Sequence, residues 1–428
     1  MALGGGIFLT QNKILPGSYI NFISKAVPTA SLTDRGVAAM AFDLDWGKEN
    51  EVYEVVESDL IHDSLKLFGY DYASDKIAGI KDIFKNSTKL YMYRLSSGGT
   101  KAKNDYVTAK YGGIRGNDLK LVVTANVDVP ENFDVTVYLE SRVVVSQTIA
   151  SVDDFADNEW VTWNKGAELT LTAGIPLTGG TNGTVDATSH QTFIDKIESY
   201  PSVNAIGYAG NDSAIKALYV AWVKYMREQV GVKLQAVVFG YPADSEAVVN
   251  VKNSADLVYW ATGVIAGTAV NESATNKRYD GEFAVNTDYT QSQLEGCIKN
   301  GEWVLHKVGD EIHVLMDINS LTTTTVDKGV IFQDNQTIRI IDQIAMATAS
   351  VFNSKYLGHV PNDDDGRLSL WGDLCKIHQD LQKIRALENF VDTDITVERG
   401  DDKHNVVVNE SITVINTMVK LYMTVVVG

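Results

Sequence analysis

The chain has 428 residues, of which 45% are hydrophobic and 9% aromatic, so it is long enough to fold as several domains. Its 37 Lys and Arg residues against 55 Asp and Glu residues give a formal net charge of −18. This argues against sequence-independent nucleic-acid binding, which needs a basic face. Cys297 and Cys375 are the only cysteines and lie in no CxxC motif, which excludes a disulfide scaffold.

The start of the chain and its longest weakly polar stretch both bear on localisation. No basic segment followed by a long apolar run occurs near the N-terminus, and the stretch 257–270 is too short to span a bilayer. We therefore expect a protein made in the cytoplasm without a signal peptide and without membrane contact of its own.

Residues 1–25 precede any globular pattern. A turn at Pro16-Gly17 is followed by the apolar residues Tyr19, Ile20 and Phe22. This spacing predicts an extended N-terminal arm or edge strand.

A mixed α/β domain follows, formed by residues 26–111 and 181–260. Its apolar periodicity predicts a helix over 58–68. Later, strands over 203–208 and 234–239 flank a helix, which predicts two parallel strands joined by a right-handed crossover.

Between these two halves, residues 112–180 show only the alternating pattern of β-strands. Apolar and polar residues alternate over 119–127 and 133–139, the segments 142–149 and 159–163 follow, and turn-rich joints separate them. We interpret this region as a small all-β subdomain inserted into the α/β domain.

The remaining domain, over residues 261–400, is again mixed α+β. A hairpin turns at Gly309-Asp310, and helical stripes over 337–352 and 369–390 follow. Residues 401–428 then form a β-prone C-terminal arm.

The C-terminal arm has the period of two that is typical of a half-buried strand. Either the strand belongs to the protein's own sheet, or it is donated to a neighbouring subunit. The residues that define it are Ile412, Val414, Val419, Leu421, Met423 and Val425.

Two clusters resemble metal sites, but neither has a complete ligand set. His306 should face His313 across the hairpin, with Glu302 and Asp317 further along, and we interpret these residues as a cross-strand polar pair. The acidic run 363–366 lacks the Glu that closes a calcium loop and favours a turn before a helix. We find no nucleotide-binding motif and no catalytic set, so we expect no catalytic residue, metal or cofactor.

The helix over 369–390 carries basic residues beside its apolar stripe: Lys376, His378, Lys383 and Arg385. They form either a solvated helix face or a basic surface that docks on an acidic partner.

Several long segments resemble contractile tail sheath proteins of the Gram-positive type found in myophages, PBSX-like prophages and R-type bacteriocins. The C-terminal ones are AGTAVNESATNKRYDGE (266–282), NGEWVLHKVGDEIHVLMDINSLTT (300–323), RIIDQIAMATASVFNSKYLGHVPND (339–363) and RLSLWGDLCKIHQDLQKIRALENF (367–390). LPGSYINF (15–22) and YGGIRGNDL (111–119) resemble N-terminal signatures of the same family.

This resemblance implies a structural subunit that stacks in six-fold rings around an inner tube and contracts to drive the tube through a target cell envelope. Arms from neighbouring subunits would share a small sheet, here through residues 14–25 and 405–428. Lys376, Lys383 and Arg385 become candidates for the tube contact. The implied partners are other copies of the chain, the tube, the baseplate and the tail terminator. The subunit would form part of a phage or phage-like tail particle released by lysis.

Two other classes of protein are alternatives to a sheath subunit. One is an oligomeric α/β hydrolase whose β insertion binds substrate, which would need a Ser, His and Asp set that the sequence does not single out. The other is a β-rich surface protein, which would need a signal peptide. We therefore expect a protein without enzymatic activity.

Overall fold

A computed structural model describes residues 35–427, so the arm predicted around Tyr19, Ile20 and Phe22 lies outside the described residues. The strands are β1 Val37–Phe42, β2 Val52–Val56, β3 Lys89–Arg94, β4 Lys101–Lys103, β5 Val107–Gly112, β6 Leu119–Ala125, β7 Phe133–Leu139, β8 Arg142–Ile149, β9 Val161–Trp163, β10 Thr172–Pro176, β11 Ala205–Tyr208, β12 Gln235–Phe239, β13 Val248–Val251, β14 Glu302–Trp303, β15 Leu305–Val308, β16 Glu311–Val314, β17 Leu387–Glu388, β18 Ile395–Arg399, β19 Val406–Glu410 and β20 Thr413–Val414. The α-helices are α1 Glu57–His62, α2 Ser64–Phe68, α3 Ala78–Phe84, α4 Ala187–Ile197, α5 Ser213–Tyr225, α6 Leu257–Gly267, α7 Gln291–Lys299, α8 Asn335–Val351 and α9 Asp364–Lys383. No helix in this part of the chain is long and apolar enough to cross a membrane.

A seven-stranded sheet forms the centre of the molecule, in the order β14-β13-β12-β11-β1-β3-β2. All neighbouring pairs are parallel except β2 with β3. The parallel pairing of β11 with β12 confirms the prediction made from the spacing of their apolar runs.

The two faces of this sheet are covered by different helices, because successive strand residues point to opposite sides. Met40 of β1 packs into a core that includes residues of α3 and α6, whereas its neighbour Ala39 packs with residues of α4 and α5. The result is a three-layer α/β/α arrangement, as expected for parallel strands buried on both faces.

The helices α3 and α6 approach closely because α6 carries glycines at the contact. A Cβ atom on Gly263 would lie 2.3 Å from the backbone oxygen of Ile83, which is closer than atoms can pack. A Cβ atom on Gly267 would likewise meet the backbone oxygen of Asn86, so both glycines permit this close packing.

The β region consists of the four-stranded antiparallel sheet β10-β6-β7-β8 and the three-stranded sheet β4-β5-β9. Its strands therefore begin at Lys101, before residue 112, because β5 pairs with β4 on one side and with β9 on the other. Buried Arg94 of β3 joins this region to the central sheet. It donates hydrogen bonds to the carbonyl oxygens of Leu44 (2.8 Å), Gly47 (3.0 Å) and Gly112 (2.7 Å).

Two predicted helices have different limits. The helix predicted over 58–68 is the pair α1 and α2, because Asp63 between them leaves the helical conformation. The helix predicted over 369–390 is α9. It starts earlier because the Asp363 side chain caps it by accepting a hydrogen bond from the Gly366 backbone N–H at 2.8 Å.

In the C-terminal part, α8 and α9 pack with the two-stranded sheets β17-β20 and β18-β19 around an apolar core. Two buried ion pairs hold α8 in place. Arg227, just after α5, contacts both carboxylate oxygens of Asp342 at 2.7 Å, and Arg339 contacts Asp317 at 2.6 Å. Because both arginines and both carboxylates are buried, these contacts are little screened by solvent.

Candidate assembly surface

The hairpin of β18 and β19 is a sheet of only two strands within residues 35–427. Trp371 of α9 secures one end by donating from Nε1 to the carbonyl oxygens of Asp392 (3.2 Å) and Ile395 (3.1 Å). The side chains of Val407 and Val408 on β19 are exposed. An extended strand can add to such a hairpin through main-chain hydrogen bonds, because neither outer edge is paired with another strand in the described chain.

The segment after β20 is fixed to the body of the molecule at its first residues. The Ile415 backbone N–H donates to the Ala386 carbonyl oxygen at 2.9 Å. The Gln336 side chain at the start of α8 accepts from the Thr417 N–H at 3.0 Å and donates to the Ile415 carbonyl at 3.2 Å. These contacts anchor the chain through Thr417.

Residues 418–427, called the tail below, form no strand and are exposed in the single chain. Leu421 and Met423 have 86% and 75% of their surface exposed, and Val419 and Val425 are also exposed. Ile412 and Val414, predicted in the same intersubunit strand, instead pack on the chain's own C-terminal core, where Val414 pairs with Leu387. The free segment therefore starts after Thr417, and the role of its apolar side chains stays a prediction.

The basic residues predicted on one helix face have different environments. Lys376 is exposed, and Lys383, two turns further along α9, is exposed and contacts Asp380 at 2.7 Å. Arg385 lies beyond the end of the helix, where its φ of 63° turns the chain back. His378 is fully buried and does not belong to a solvated face. Its position one turn after Leu374 was the sequence signal for burial.

The hairpin of β15 and β16 brings His306 opposite His313, as the turn predicted. The two carboxylates expected along the same face are engaged elsewhere. Glu302 belongs to the central sheet and contacts Lys252 at 2.8 Å, whereas buried Asp317 pairs with Arg339. No group of His, Cys, Asp and Glu residues in the described ranges has the arrangement of a metal site.

Comparisons with known proteins match successive parts of the chain to four sheath families. These are the tail sheath protein Gp18 domain III N-terminal region (35–95), the phage tail sheath protein beta-sandwich domain (97–182), the phage tail sheath protein central domain (183–320) and the phage tail sheath C-terminal domain (327–428).

Individual relatives are similar over nearly the whole chain. The phage-like element PBSX protein XkdK of Bacillus subtilis is 27% identical over 99% of this chain and 99% of its own length. The crystal structure of the sheath tail protein of Desulfitobacterium hafniense is 32% identical, with a TM-score of 0.80, and covers 93% of this chain and 100% of that one. The contracted helical sheath of the anti-feeding prophage shares the fold at 12% identity and a TM-score of 0.56, covering 96% and 99% of the two chains.

The mixed α+β fold and these matches define a structural subunit of a tail. The chain belongs to the phage tail sheath protein family. Because this family is structural, the prediction that the protein is not an enzyme is confirmed, and the hydrolase alternative is wrong.

Proposed function

We propose that the chain is a subunit of a contractile tail sheath. It polymerises as six-fold rings around an inner tube and contracts to drive the tube through a target cell envelope. Its membership of the sheath family supports this proposal, and so does the fold it shares with a sheath seen in a contracted state. The other partners are the baseplate and the tail terminator. The subunit is made in the bacterial cytoplasm and leaves the cell by lysis as part of a tail particle.

The observation that carries this function is that one molecule has both an exposed tail and a hairpin, β18 and β19, with unpaired outer edges. The tail exposes apolar residues that gain free energy when another surface covers them. The hairpin of β18 and β19 offers unpaired edges to an extended strand. In our proposal, the tail of one subunit pairs with the hairpin of the next, and the N-terminal arm over 14–25 joins the same sheet.

Prolines in the tail test this pairing. Leu421→Pro with Met423→Pro removes main-chain donors from the tail without touching the body of the subunit. We expect a folded, soluble protein with an unchanged circular dichroism spectrum that forms no cylinders in negative-stain electron microscopy. Deletion of residues 418–428 should give the same result.

The matched control is Leu421→Val with Met423→Val, which keeps the donors and the strand propensity. It should form cylinders as the natural chain does. Normal assembly of the proline variant would show that the tail is not the intersubunit strand.

The basic face of α9 is our candidate for the tube contact, with region 261–400 facing the tube. We expect Lys376→Glu with Lys383→Glu to weaken co-assembly with the tube protein while sparing tube-free polymerisation, as measured by sedimentation of the sheath with the tube. Arg385→Glu tests the third candidate separately because it lies beyond the helix.

Lys299→Glu with Lys307→Glu is the matched control. It makes the same change in net charge, in the same region, at exposed positions on α7 and β15 instead of α9. Equal loss of co-assembly in both double variants would assign the effect to net charge and remove α9 as the contact.

A further inference from the structure

His378 lies fully buried between α9 and β19, with one oxygen atom close to each ring nitrogen. Nδ1 lies 2.9 Å from the Leu374 carbonyl oxygen, and Nε2 lies 3.3 Å from Oε2 of Glu410 on β19. The ring also stacks on Phe390 with 5.0 Å between centroids. Nδ1 makes a hydrogen bond, whereas Nε2 makes none of good geometry, so its contact with Glu410 is an ion-pair contact. Such a contact is attractive only when the imidazole is protonated, because only the imidazolium ion carries a positive charge and an N–H on both nitrogens.

We propose that His378 and Glu410 form a proton-controlled latch, which holds β19 on α9 when the imidazole is protonated and weakens when it is neutral. In the neutral ring with the proton on Nδ1, the Nε2 lone pair faces the Glu410 carboxylate, and an attractive contact becomes a repulsive one. The Glu410 side chain can relax because it is 32% exposed, whereas the His378 ring is enclosed.

Among the neighbours of His378 named here, Glu410 is the charged one, and it favours the protonated form of the imidazole. The residues one turn away on α9 are Leu374, Cys375, Leu381 and Gln382, none of which is charged at neutral pH. The segment after α9 contributes the Phe390 ring, and β19 contributes Glu410. Burial lowers the pKa of His378, but the contacts with Glu410 and the Leu374 carbonyl outweigh it and raise the pKa above its ordinary value.

The direction of the pH effect follows from this raised pKa. The latch contributes fully below the unfolded histidine value of about 6.5, and its contribution is lost as the pH rises through the folded pKa. Because β19 leads through β20 into the tail, and α9 carries Lys376 and Lys383, the latch joins two elements that we propose for assembly.

Hydrogen exchange of the full chain, followed by mass spectrometry, tests the latch. The protection of amides 406–410 is corrected for the intrinsic exchange rate and divided by that of β12 in the same molecule, which cancels changes in global stability. Between pH 5.5 and 8.5, we expect this ratio to fall at least about tenfold in the natural chain. In Glu410→Gln, which removes the charge and keeps the shape, it should change by less than about threefold.

Glu398→Gln is the matched control, because it removes an exposed carboxylate from the partner strand β18. It should keep the pH dependence of the natural chain, and identical profiles for Glu410→Gln and the natural chain would overturn the proposal. The His378 Cε1–H resonance, assigned with His378→Gln, provides an independent measurement. We expect its pKa to lie above about 6.5 and to move at least about one pH unit lower in Glu410→Gln, and an unmoved value would also overturn the latch.

Discussion

At the scale of single residues, the contact between Arg227 and Asp342 shows how much a buried charge depends on its partner. Both side chains are about nine-tenths buried, and the guanidinium meets both carboxylate oxygens. Arg227→Met leaves the buried Asp342 carboxylate without its hydrogen-bonded counter-charge. The electrostatic interactions of this carboxylate with Arg35 and Lys233 remain. We expect the free energy of unfolding to fall by about 3–5 kcal/mol, as measured by urea denaturation of the unassembled subunit.

Two further variants test whether the loss of stability comes from leaving one buried charge unpaired. Arg227→Met with Asp342→Leu removes both charges and should recover most of the lost stability, since a matched apolar pair carries no unpaired charge. Arg142→Met breaks the exposed pair with Asp71 and should cost less than about 1 kcal/mol. Equal costs for Arg227→Met and Arg142→Met would contradict the role of burial.

At the scale of elements, the contact of α3 with α6 depends on the absence of a side chain. Alanine is favoured over glycine inside a helix by about 1 kcal/mol, so Gly263→Ala would stabilise an isolated α6. In the folded chain, the new Cβ meets the Ile83 carbonyl oxygen at 2.3 Å. We expect a net loss of about 1–3 kcal/mol in the free energy of unfolding, because one helix must move.

Gly372→Ala in α9 is the control, since a Cβ there meets no atom within 4 Å. It should stabilise the subunit by up to about 1 kcal/mol. If both substitutions stabilise, α6 has room for a side chain, and close packing does not explain its glycines.

The elements that the sequence predicts best are those whose pattern depends on one buried face. β7 begins and ends at the predicted residues because, from Val135 onward, buried and half-buried positions alternate. β8 also has its predicted limits, although a bulge between Val137 and Tyr138 in the pairing with β7 interrupts the alternation. The predicted start of α9 is too late because its apolar stripe begins at Leu370, whereas the helix starts at its polar cap, Asp363, about two turns earlier. Periodicity locates a buried face, but a cap is a local contact outside that face.

In the candidate assembly surface, too, the sequence pattern predicts an element but not the contacts that the element makes. The apolar period of the tail indicates a strand, but a period does not identify the edge with which the strand pairs, because main-chain hydrogen bonds are common to all residues. The contact of His378 with Glu410 joins residues 32 positions apart in the printed sequence, and it exists only after the hairpin has folded onto α9.

At the scale of the whole molecule, assembly must overcome the repulsion between subunits that each carry a net charge of −18. The Debye length falls from about 30 Å at 0.01 M salt to about 8 Å at 0.15 M, so charges on neighbouring subunits are screened over this range. Strand pairing of the tail uses neutral main-chain groups and apolar side chains, which salt at these concentrations barely affects. We therefore expect the critical concentration for tube-free polymerisation, measured by sedimentation, to fall as salt rises from 0.01 M to 0.15 M.

Lys299→Glu with Lys307→Glu tests the effect of net charge on polymerisation. Each change replaces one positive charge by one negative charge, so the net charge moves from −18 to about −22. Neither change alters the tail, the hairpin of β18 and β19, or α9. The variant should need more salt than the natural chain to polymerise at the same protein concentration, and the two should converge where screening is complete. A critical concentration that rises with salt would instead mean that complementary charge pairs between subunits contribute more to assembly than the neutral strand contacts.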